Sequence, residues 1–120
     1  MKSEKIIYNF LEFTNNLKLY HWNTLIYARH KASDKLLIKL NALIDLFVES
    51  YMGKYGKISA INDIKILNIN DNNYKSKLMI PFIKFLKELA MEMREDEELS
   101  HLCHEMLNYT EQTVYLFSLK

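Results

Sequence analysis

Apolar side chains recur at helical spacing through nearly the whole chain, and almost nothing interrupts them. Ile6, Ile7, Phe10, Leu11, Phe13, Leu17 and Tyr20 share one face of a first helix, and Leu36, Leu40, Leu43, Ile44, Phe47 and Tyr51 share one face of a second. Only two glycines and one proline occur in 120 residues, so few positions break a helix. The pattern predicts an all-α domain. Helix A is expected over about 4–24 and helix B over about 28–52. Ser3 is the expected N-cap of helix A, and Gly53 or Gly56 the left-handed stop of helix B.

Residues 57–75 are mixed, with a short helix expected near Ile58–Leu67 and a turn at Asn70-Asp71-Asn72-Asn73. Pro81 suits the start of helix C, whose core face is Phe82, Phe85, Leu86, Leu89 and Met93. The acidic run Glu95-Asp96-Glu97-Glu98 opens helix D, where the helix dipole favours negative charge. Helix D continues through Leu99, Leu102, Cys103, Met106, Thr110, Thr113 and Phe117, with Leu99, Leu102, Cys103 and Met106 as its core face. The expected architecture is a single four-helix bundle with a long connection between helices B and C.

A formal charge of +1 supplies no field toward nucleic acid, and no basic cluster marks a DNA-binding surface. No apolar run approaches the roughly 20 residues of a membrane span, and the first residues do not read as a signal peptide. A single cysteine, Cys103, cannot form an internal disulfide, so a reducing, cytoplasmic setting is expected.

Helix B carries a second pattern. His30, Asp34, Asp45 and Glu49 are spaced 4, 11 and 4 apart. At roughly 100° per residue they lie at about 0°, 40°, 60° and 100°, on a single stripe. Imidazole and carboxylate are the ligands an iron, zinc or manganese site needs. The two pairs stand on the order of 20 Å apart along the helix, too far to share one ion. The stripe also lies some 130° from the apolar face, so it points away from the core. An antiparallel copy of helix B, on a two-fold axis near Lys39–Leu40, closes the site. His30 and Asp34 of one chain then meet Asp45 and Glu49 of the other, twice per dimer.

His21-Trp22-Asn23 ends helix A, and with the stripe it resembles the Dps-like mini-ferritins. That family has the same triplet, followed by a His, an Asp, an Asp and a Glu at the 4, 11 and 4 intervals found here, and Tyr27 also fits it. The chain is similar, too, to short Dps-like proteins of large DNA viruses and some bacteria. The resemblance implies a ferritin-like bundle that binds Fe²⁺ between two subunits and oxidises it with peroxide or oxygen. His21, His30 and Asp34 would come from one chain and Asp45 and Glu49 from its mate, with Trp22 beside the iron to intercept reactive oxidants. It implies a homodimer and a larger cage; zinc or manganese suits the same donors. The first His precedes the second by nine residues here, where the family has about twelve, and Thr24-Leu25 replaces a Gly-Pro-like break. His21 and His30 therefore share a site only if the chain bends near Asn23–Tyr27.

Other groups read as bland. His101, His104 and Glu105 fall on the wet side of helix D, and no second Glu-x-x-His partners Glu98-Leu99-Ser100-His101. The rival to a ferroxidase is a non-catalytic structural or interaction protein on the same bundle, with vestigial or structural metal binding.

Overall fold

A computed structural model describes residues 1–119. It holds four α-helices: α1 (Ser3–Asn23), α2 (Tyr27–Tyr55), α3 (Ile80–Glu92) and α4 (Glu97–Ser118). There is no strand among the described residues, and no helix is long and apolar enough to cross a membrane.

The apolar faces meet in one core. Phe10 sits edge-on to both Phe47 of α2 and Phe85 of α3, and Phe13 stacks on Phe82. Leu17, Leu40, Leu86, Leu89, Leu99, Cys103 and Met106 are fully enclosed around these rings. Burial pushes the Cys103 thiol up to about 12, so it stays protonated and acts as a small apolar group.

Side-chain pairs set the helix directions. Phe13 meets Phe82, Phe10 meets Phe85 and Lys5 meets Glu88, so α1 and α3 run antiparallel. Lys54 meets Asp96 and Arg29 meets Phe117, so α2 and α4 do too. The three-residue turn between α1 and α2 makes those two antiparallel as well, which leaves α2 and α3 parallel.

One helix end differs from sequence expectation and two follow it. Lys2, not Ser3, is the N-cap of α1, and it caps with no side-chain bond; the Ser3 hydroxyl instead accepts from the Ser59 amide. Helix α2 stops at Gly56, whose φ of 93° is the left-handed conformation glycine tolerates best. Asp96 caps α4, its carboxylate accepting from the Leu99 amide.

No helix forms at 58–67. Residues 56–74 run alongside α1, with Ser59 at Ser3, Lys65 at Tyr8, Leu67 at Asn16 and Asp71 at Thr24. The twelve residue steps from Ser59 to Asp71 thus cover nearly the length of α1, about 30 Å, where a helix would cover about 18 Å. Only extended chain reaches. A π-helical turn, Lys75–Met79, then leads into α3. Pro81 has no N–H for the Lys77 carbonyl and its ring crowds that group, which accounts for the turn widening there.

Candidate metal centre

Asn23 ends α1 and Tyr27 begins α2, so the chain reverses over Thr24–Ile26. This reversal brings His21 and His30 face to face, ring centres 4.0 Å apart and planes within 13° of parallel. Each imidazole bonds to the other residue's backbone. His21 Nδ1 donates to the His30 carbonyl at 2.7 Å, and His30 Nδ1 donates to the His21 carbonyl at 2.8 Å. A carbonyl oxygen only accepts, so both Nδ1 atoms carry a proton, and in the neutral imidazole Nε2 is then the nitrogen with the lone pair. That is the tautomer and the support a metal-binding histidine needs.

Ser33, fully buried one turn beyond His30, completes the cluster. Its hydroxyl donates to the His30 carbonyl at 3.1 Å and lies 3.0 Å from His21 Nδ1. His21 itself is 8% exposed, yet no buried side-chain nitrogen or oxygen lacks a partner. Its Nε2, which bonds to nothing among the described residues, therefore reaches the surface.

The carboxylates occupy the outer face of α2. Asp34, Asp45 and Glu49 are all exposed and make no hydrogen bond or ion pair with the described residues; Asp34 ignores its neighbours Lys31 and Lys35. Asp34 lies one turn from His30, whereas Asp45 and Glu49 stand three to five turns further along the same helix. Among the described residues no three His, Cys, Asp or Glu side chains of one chain converge as a metal site. One chain thus brings together the two histidines and keeps Asp45 and Glu49 apart from them.

Trp22 is exposed at the end of α1, with the Lys18 ammonium 5.5 Å above its ring. Tyr27 stacks loosely on His30. Large apolar side chains flank the carboxylates on α2: Tyr27, Ile38, Leu46 and Met52 are all exposed. His101 and His104 are exposed on α4, and His101 pairs with Glu105 at 2.9 Å across one turn.

Sequence reasoning passes over two features of this region. Ser33 leaves a signal, a small polar residue three after His30 on the inward face. Asp71 leaves none. It lies 47 positions beyond Thr24 and accepts from the Tyr20 hydroxyl, the Thr24 hydroxyl and the Leu25 amide. Burial raises its pKa, but bonds from Thr24, Tyr20 and Leu25 and the Arg29 charge outweigh that, holding the carboxyl below its ordinary range.

No curated protein and no solved structure matches the chain. Residues 21–117, from the first histidine of the pair almost to the end of α4, match a family of unknown function, DUF5856, and the chain belongs to that family.

Proposed function

We propose that the protein is a Dps-like ferroxidase subunit, which takes Fe²⁺ as substrate at a site completed by a second copy of itself. The observation that carries this reading is the reciprocal histidine pair, with both Nδ1 atoms committed to backbone carbonyls and both Nε2 atoms free. Parallel α2 and α3 joined by a long extended crossover fit a ferritin-like bundle.

The donor set fits iron. Imidazole nitrogen holds Fe²⁺, and the hard carboxylate oxygens of Asp34, Asp45 and Glu49 favour the Fe³⁺ product. The lone pairs of Nε2 lie in the ring planes, and these planes are nearly parallel. They do not converge on one ion about 2 Å from each nitrogen unless the rings splay. The arrangement suits one ion per imidazole rather than one ion shared by both. Two Fe²⁺ then give one electron each to peroxide, which takes two protons and leaves as two waters. Trp22, next to His21 in the chain and exposed, would be the side chain to intercept an escaping oxidant.

The missing wall comes from the mate. Antiparallel packing of α2 on its copy places Asp45 and Glu49 opposite the partner's His30 and Asp34. The same packing covers Ile38 near the two-fold axis and sets Tyr27 level with the partner's Met52, giving exposed apolar surface a role. Zinc or manganese suits the same donors without the electron transfer.

The test is Fe²⁺ oxidation by the purified protein, with and without peroxide, against the double variant Asp45→Ala/Glu49→Ala. Rapid oxidation that the variant loses supports the ferroxidase. A rate no higher than the buffer blank overturns it and leaves a non-catalytic structural protein on this bundle.

A further inference from the structure

Apart from the histidine pair itself, the bend between α1 and α2 has few local bonds. It is three residues long, and the N-cap residue of α2, Ile26, makes no side-chain capping bond. Asp71 fills that gap from the far side of the chain. Its Oδ2 accepts from the Leu25 amide at 3.1 Å, and its Oδ1 accepts from the Thr24 hydroxyl at 2.6 Å. Thr24 Oγ1 in turn accepts from the Ile26 amide at 3.2 Å. Every residue of the bend is tied, directly or through Thr24, to one carboxylate.

Two further contacts give this arrangement a target. Tyr20 donates its hydroxyl to Asp71 Oδ1 at 2.7 Å, and Tyr20 immediately precedes His21. Arg29 immediately precedes His30. Its Nη1 donates to the Asp71 carbonyl at 3.0 Å and to the Tyr20 hydroxyl at 3.3 Å, and stands 3.6 Å from Asp71 Oδ1. Arg29 Nε donates to the Phe117 carbonyl at 3.0 Å, and the guanidinium lies over the Tyr74 ring. Asp71 therefore anchors the residue before each histidine, one on each helix. The two Nδ1 bonds of the pair are short, and a relative slip of about 1 Å between α1 and α2 breaks both.

We propose that Asp71 is a positioning residue for the His21/His30 pair: it fixes the register of α1 on α2 in which each imidazole finds the other's carbonyl. The metal half of this proposal rests on the ferroxidase reading; the tautomer half does not.

The test uses the full chain with ¹⁵N-labelled histidine, in alkaline buffer. In the wild type, NMR shows His21 and His30 each held as the Nδ1–H tautomer. In Asp71→Asn, which keeps the shape and loses the charge, both become tautomer mixtures, and Co²⁺ binds at least tenfold more weakly, the scale on which support behind a ligand acts. Asp96→Asn, which breaks the remote Lys54 contact at the other end of the bundle, leaves tautomers and Co²⁺ affinity unchanged. Should Asp71→Asn fail to fold, Thr24→Val removes a single donor to Asp71 and is expected to shift the tautomers partway. A folded variant with unchanged tautomers overturns the proposal. If the wild type binds no Co²⁺, the ferroxidase reading fails, and the tautomer comparison still decides the role of Asp71.

Discussion

Two histidines that donate to each other's carbonyls spend their Nδ1 protons on structure, which leaves Nε2 as the ring nitrogen open to a ligand. Ser33 braces this exchange from a fully buried position. Ser33→Ala removes its bond to the His30 carbonyl and leaves that of His21 Nδ1. Urea unfolding is expected to show a loss of about 1 kcal/mol, with the far-UV spectrum unchanged. At this scale the candidate ligands are legible, because fixed intervals on a helix put chemistry on one stripe whatever surrounds it. The histidine pair is legible only as a requirement, since nine residues on an unbroken helix point the rings apart. The supports are not: Asp71 meets Thr24 across 47 positions, and no local pattern encodes such a contact.

At the scale of elements, the period of apolar residues locates the four helices to within a few positions, because burial of one face dominates helix formation in a bundle. The segment after α2 shows the limit of that reasoning. Ile58, Ile61, Ile64 and Leu67 repeat every three residues, yet the chain there must reach along α1, and reach outweighs local pattern. Its far end supplies Asp71 to the α1–α2 bend. Because the folded chain holds the Asp71 carboxyl below its ordinary range, the stability it contributes is complete above the unfolded value of about 3.9. That contribution is lost as pH falls through the lower folded value. Urea midpoints measured from about pH 5 down to about pH 3 should therefore fall more steeply for the wild type than for Asp71→Asn, so that the gap between them narrows in acid. A gap that widens in acid contradicts this assignment.

At the scale of the whole molecule, the stripe on α2 sets His30 and Asp34 toward one end of the helix and Asp45 and Glu49 toward the other, the two complementary halves of the proposed shared site. The exposed Ile38 lies between the two ends and gives an antiparallel copy something apolar to cover. The proposed second wall is no part of one chain, and its signal in the sequence is the symmetry of the 4, 11, 4 intervals. The sharing of donors between chains is the central claim, and complementation tests it most directly. A chain carrying His21→Ala/His30→Ala and a chain carrying Asp45→Ala/Glu49→Ala are each expected to be inactive in Fe²⁺ oxidation. Unfolded together and refolded as a mixture, they form heterodimers in which one of the two sites has all its ligands. Random pairing then restores about a quarter of the wild-type rate. A refolded mixture that forms dimers and stays at the buffer blank, or a parent chain that is active alone, contradicts the shared site.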